Sequence, residues 1–135
     1  MSVKVSSIEG NRQLLDGGSM FGNAPRPLWE RWVKVDELGR IELACRSLLV
    51  EYNDKKILLE AGIGAFFPPE LANRYGVTPV DQHVLVHELK KKGIEPEDIN
   101  FVILSHLHFD HAGGLVPAYE EFSKNPRLIF SNAVH

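Results

Sequence analysis

The chain reads as an α/β protein because three stretches carry distinct hydrophobic periods. Two apolar runs, "IELACRSLLVE" (41–51) and "ILLE" (57–60), flank the turn-forming "YNDKK" and predict a β-hairpin turning at Asn53-Asp54. "TPVDQHVLVHELKKKG" (78–93) predicts a helix, with Thr78 as N-cap, Pro79 at the first helical position, Asp81 in the first turn, lysines at the C-terminal end and Gly93 beyond it. "INFVIL" (99–104) is a nearly continuous apolar run, as expected of a strand buried on both faces of a sheet.

The elements between these follow from their punctuation. Residues 1–40 are turn-rich, and "DGGSMFGNAPRPLW" (16–29) places three glycines and two prolines close together, so this region is expected to be loop rather than regular structure. "AGIGAFFPPE" (61–70) closes the hairpin's second strand, and Gly62 and Gly64 around Ile63 predict a tight backbone turn at a strand end, a frequent place for sites in open sheets. "EPED" (95–98) opens a short helical turn, "PAYEEFSKNP" (117–126) a short helix, and "RLIFSNA" (127–133) another strand. No internal repeat, low-complexity tract or linker interrupts the 135 residues, so one domain is expected.

Composition narrows the function classes. With 44% hydrophobic and 24% charged residues the chain falls in the globular range. Eighteen acids against 15 bases give a net charge of −3, so no basic excess points to nucleic acid as the main partner. The start, "MSVKVSSIEGNRQLLDGG", lacks the basic patch and apolar core of a signal peptide, and no window approaches the roughly 18 apolar residues of a membrane span, so no membrane partner and a cytoplasmic location are expected. The single cysteine, Cys45, sits among apolar neighbours and is expected to be a small buried hydrophobe in a strand.

Chemistry concentrates in "LSHLHFDHAGG" (104–114), where His106, His108, Asp110 and His111 occupy four of six consecutive positions after a buried strand. In an extended segment residues two apart point the same way, so His106 and His108 can present their rings to one metal ion. Asp110 and His111, at the opening of a helix, are better placed to reach a second ion beside the first. Imidazole nitrogen and carboxylate oxygen are ligands for zinc and similar divalent cations, and Gly113 and Gly114 let the backbone pass close by.

"SHLHFDHAGG" resembles the His-x-His-x-Asp-His signature of the metallo-β-lactamase superfamily of metallohydrolases. "LDGGSMFGNAPRPLWERW", "ELACRSLLVE" and "KILLEAGIG" are similar to the N-terminal part of its lactonase branch, so the resemblance spans nearly the whole chain. It implies an αβ/βα sandwich, two sheets facing each other between outer helices with metals at one edge, of which residues 1–135 form the N-terminal αβ part of one domain. By the same resemblance His106 and His108 hold a first Zn2+ and Asp110 and His111 a second, other divalent metals being acceptable. A metal-bound hydroxide would then attack the carbonyl of an ester or lactone, with Asp110 as the catalytic residue that orients it or shuttles a proton.

In the family a further histidine, a bridging aspartate and a last histidine come from downstream motifs, so the ligand set is expected to be incomplete in this fragment and one sheet face uncovered, a route to self-association. Glu60 stands where the family usually has an aspartate that supports the metal loop, and is expected either to do so one methylene further out or to be a surface-facing glutamate at a strand end. Met20, Phe21 and Phe66, with Trp29 and Phe67, are core residues or, by analogy with the family's N-terminal loop, the lining of an acyl pocket. His83 and His87 are expected on a solvated helix face, and His135 is not expected to be a ligand.

Within the family, thioester hydrolysis of the glyoxalase-II-like kind or phosphodiester hydrolysis are the alternatives, the latter weakened by the acidic balance. The diiron branch usually has glutamate where His108 stands, which argues against redox chemistry. A non-catalytic truncated or assembly module is the reading from a different class.

Overall fold

The computed structural model describes residues 2–135. Four strands form one sheet in the order β1 (Val3–Asp16), β2 (Arg40–Tyr52), β3 (Lys55–Leu59), β4 (Phe101–Ile103). β1 and β2 are antiparallel, as are β2 and β3, whereas β4 runs parallel to β3. The expected hairpin is present, and its turn is made by Asn53 at φ 52°, a left-handed conformation that asparagine tolerates.

β1 corrects the reading of residues 1–40 as loop. Its alternation is broken at Gly10-Asn11, where the register against β2 shifts between Glu9 and Arg12, the mark of a bulge. A Cβ on Gly10 would come within 2.5 Å of the Cys45 carbonyl oxygen, so the bulge requires glycine. The strand forms because β2 supplies a long pairing partner, which local pattern does not reveal. After it come α1 (Gly17–Phe21), capped by Asp16 accepting from Ser19 N at 2.7 Å, and α2 (Arg26–Trp29), two short helices inside the same presumed loop.

The helix expected from Thr78 begins later, as α4 (Val84–Lys91), preceded by the short α3 (Pro69–Arg74). Thr78 instead pairs with β1, exchanging backbone hydrogen bonds of 2.9 Å with Arg12 in both directions. The Asn11 amide donates to the Pro79 and Gln82 carbonyls at 2.8 and 2.7 Å, and its oxygen accepts from Val84 N at 3.0 Å. Those bonds hold residues 79–83 out of the helix, and His83 becomes the N-cap, its Nδ1 accepting from Val86 N. At the other end Gly93, at φ 74°, follows the C-cap as expected.

Ile8, Leu49, Leu58 and Val102 face the core and pack with Leu85 and Leu89 of α4 and with Ile94, Ile99 and Phe130. Each such side chain contributes about 1.5–3 kcal/mol by leaving water. "RLIFSNA" is not a strand: Ile129 and Phe130 are both buried although adjacent, which alternating strand residues on a one-sided sheet cannot be, and Val134 alone bridges to Phe101.

β4 is buried on one face only, contrary to expectation: Val102 is in the core while Phe101 and Ile103 are 39% and 53% exposed. Cross-strand register aligns Leu48, Leu59 and Ile103, and likewise Val5, Val50, Ile57 and Phe101, so an apolar strip crosses the sheet on the side away from α4. Among the described residues no helix is long and apolar enough to cross a membrane.

Candidate metal centre

The parallel pair β3–β4 points both its C-terminal ends at one rim, the position where open sheets present functional loops. Glu60 N donates to Ile103 O at 2.9 Å and closes the pair, after which the chain turns through Ser105 to His108 and enters α5 (Phe109–Ala112). Residues 61–64 and 111–114 then run against each other, with Ala61 N donating to His111 O and Gly114 N to Gly62 O, both at 2.9 Å. A Cβ on Gly114 would strike the Ala61 carbonyl, and one on Gly113 the Ile63 carbonyl and the Phe66 ring. This close approach explains the Gly-Gly pair, and Gly62 and Gly64 take the positive φ expected of their turn, 68° and 61°.

All four ligand-type residues lie on this rim. His106 Nε2 is 3.0 Å from His108 Nδ1, and the His106 and His111 ring centroids are 4.1 Å apart. Asp110 Oδ2 is 3.8 Å from His111 Nε2. Two nitrogens on one tetrahedral zinc stand about 3.3–3.4 Å apart, given Zn–N bonds of about 2.0–2.1 Å. The two pairs bracket that separation, so each fits a shared cation after shifts of a few tenths of an ångström. Among the described residues no group of three or more such side chains gathers around one cation position; the rim offers two ligands and two ligands.

Neighbouring groups orient these rings. His106 Nδ1 meets Ser105 Oγ at 2.9 Å, and His111 Nδ1 meets Glu60 Oε2 at 3.1 Å. Glu60 also accepts from Ser105 N at 2.9 Å through Oε1, so one carboxylate ties both ends of the loop. Its φ is 66°, a strained value for a residue with a Cβ. Burial opposes ionisation of Glu60, but hydrogen bonds from Ser105 and His111 outweigh it and hold the carboxyl below the ordinary glutamate value.

Sequence reasoning missed two residues here. Gln13 of β1 donates from Nε2 to Asp110 Oδ2 at 3.2 Å, and partly buried His83, expected on a solvated face, contacts Gly114 O through Nε2 at 2.8 Å. Desolvation pushes the His83 pKa down, against the opposing contact with Gly114 O. Only their alternation on β1 could have marked Asn11 and Gln13 as inward-facing. His87 is exposed, as expected, and the terminal His135 is exposed too. Cys45 is buried as expected; desolvation raises its thiol to about 11, opposed by the Ile63 backbone and aided by the charge of Asp110.

The apolar candidates separate. Met20 is exposed on α1, and Phe21 stacks on Trp29 with centroids 4.9 Å apart. Phe66 lies beside Gly113 and against Phe67, and Phe67 and Tyr75 flank Phe109 of the histidine loop at 5.3 and 4.7 Å. Phe67 also lines a cavity of about 860 Å3 with Ala72, Val77, Val80 and Tyr119.

An N-acyl homoserine lactonase of Bacillus sp is 37% identical over 86 residues, 55% of this chain and 33% of that protein. N-acyl homoserine lactonase AiiB of Agrobacterium fabrum is 31% identical over 100 residues, 66% of this chain and 33% of that protein. A probable metal-dependent hydrolase from Staphylococcus aureus superposes with a TM-score of 0.85 at 29% identity, covering 98% of this chain and 46% of that one. AidC, a dizinc quorum-quenching lactonase solved with a product, gives a TM-score of 0.69 at 25% identity over 98% of this chain and 40% of its own. The chain thus spans about a third of the length of the curated relatives it matches. The family model for the metallo-beta-lactamase superfamily matches residues 40–129, from β2 through the histidine loop to the core residue Ile129, and to that superfamily the chain belongs.

Proposed function

We propose that this chain carries the first metal-binding loop of a lactone-opening hydrolase that uses two divalent ions. The observation that carries this reading is the pairing on one rim of His106 with His108 and of Asp110 with His111. The first pair would hold one ion and the second pair the other, with zinc favoured because the AidC neighbour is a dizinc enzyme. Bound there, the ions supply a water acidified towards neutral pH and polarise the carbonyl under attack.

The chain's own residues do the rest. Glu60 Oε2 accepts a hydrogen bond from His111 Nδ1–H, a tautomer that leaves Nε2 unprotonated and facing Asp110. Ser105 Oγ acts likewise on His106 Nδ1, freeing Nε2 on the side of His108. Asp110 orients the attacking water and can pass its proton to the departing alkoxide, which breaks the ring ester. The aromatic wall of Phe66, Phe67, Tyr75 and Phe109 beside the loop offers an apolar surface for an acyl chain. The lactonase relatives support N-acyl homoserine lactones as the substrate class.

We further read residues 1–135 as the N-terminal part of one domain, whose apolar strip along Val5, Leu48 and Ile103 would be covered by the rest of the fold. The same exposed strip favours a second reading, an assembly module that associates through this face. Hydrolysis of N-acyl homoserine lactones, followed by acid release, tests the enzyme: it should vanish in His106→Ala and Asp110→Asn. Activity indifferent to both substitutions would dismiss the site, and light scattering of a metal-free, inactive but associated chain would favour the module.

A further inference from the structure

We infer that Gln13 is a positioning residue for Asp110, presenting that carboxylate to the metal rim; the inference rests on the function proposed above. Gln13 lies 97 positions away in sequence, yet its Nε2–H donates to Asp110 Oδ2 at 3.2 Å. Gln13 is only 2% exposed, so the donor is held away from water, while the Asp110 side chain keeps 27% exposure towards the rim.

Its base is anchored on both edges of β1. Gln13 pairs with Leu43 of β2, while on the other edge Arg12 N donates to Thr78 O at 2.9 Å and Leu14 N to Tyr75 O at 2.8 Å. A donor built on such a doubly held backbone has little freedom to follow Asp110, so Asp110 must come to it. The hydrogen bond occupies one lone pair of Oδ2 and sets the rotation of the carboxylate, leaving Oδ1 and the rest of Oδ2 for an ion or a proton.

The other end of the amide gives the second observation. Gln13 Oε1 is buried without a hydrogen-bond partner. A methionine of similar shape would fill this space with no orphaned acceptor, so packing does not account for an amide here. The hydrogen bond to Asp110 does.

The test compares the wild-type chain with Gln13→Met by cobalt titration, reading the visible absorption of bound Co2+, and by thermal melting. Gln13→Met should melt at the same or a higher temperature, bind Co2+ about 10- to 100-fold more weakly and show an altered absorption band. Equal affinity and an identical band in the two proteins would overturn the role of Gln13 while leaving the metal reading intact. A wild-type chain that takes up no Co2+ would overturn a role for Gln13 in metal binding by this chain, while the His106→Ala and Asp110→Asn hydrolysis test decides the metal reading separately. A metal-free measurement covers a variant that does not fold: in 15N–1H spectra of the otherwise native chain, the Gln13 side-chain amide should shift on Asp110→Asn. An amide resonance indifferent to that substitution would overturn the contact itself.

Discussion

Replacing Glu60 with glycine sets backbone strain against side-chain anchoring at one position. Glu60 sits at φ 66°, a left-handed conformation that a residue with a Cβ adopts at a cost of about 1–2 kcal/mol, most of which glycine relieves. The same change deletes the carboxylate that accepts from Ser105 N at 2.9 Å and meets His111 Nδ1 at 3.1 Å. Hydrogen bonds to a charged group contribute about 1.5–3 kcal/mol each, and with the side chain 24% exposed, solvent screening reduces the two together to about 2–4 kcal/mol. Anchoring therefore wins, and Glu60→Gly should destabilise the fold by about 1–2 kcal/mol near pH 7. The acid limb has the opposite sign. The folded pKa of Glu60 lies below its ordinary 4.5, so its contribution is full above that value and is lost as pH falls through the folded value. Urea denaturation followed by circular dichroism measures both limbs. The midpoint should fall by about 0.5–1 M near pH 7, and the two proteins should converge, or the glycine variant lead, once the pH is below the folded value. A glycine variant at least as stable as wild type near neutral pH would refute the claim that this carboxylate ties the loop together.

Other perturbations reach different parts of the same rim. Gly114→Ala drives a methyl group into the Ala61 backbone carbonyl, which has no side-chain freedom to move aside, and should lower stability by about 3 kcal/mol in the same denaturation assay. Cys45, with its thiol raised to about 11, should react with iodoacetamide near pH 8 about 100-fold more slowly than an unhindered cysteine peptide. His83 is held neutral by desolvation, so stability should decline as pH drops below its ordinary 6.5 and level off beneath the folded value. His83→Asn, which keeps an N-cap acceptor for Val86 N, should flatten that part of the pH–stability curve.

The parts of this protein that were legible in its sequence are those specified by neighbouring residues. The hairpin needed only two apolar runs and Asn53-Asp54 between them, and the histidine loop stood out because all four ligand-type side chains lie within six consecutive positions. Gly62 and Gly64 were legible as a tight turn, and Gly113 and Gly114 as a close backbone approach, for the same reason. β1 was not, because its regularity comes from pairing with β2 more than twenty residues away, and its own pattern is broken by the Gly10-Asn11 bulge. The start of α4 was misplaced because Asn11 and Arg12 hold residues 78–82 from across the fold, overriding a good local start signal at Thr78-Pro79. The surroundings of the metal loop depend on the same long-range order. Residue types alone determined which groups could bind a cation, since donor chemistry belongs to the side chain. Folding decided that Glu60 would clasp His111, that Gln13 would reach Asp110 and that His83 would turn inward to Gly114, because each contact spans at least 31 positions and exists only once the sheet has brought its two ends together.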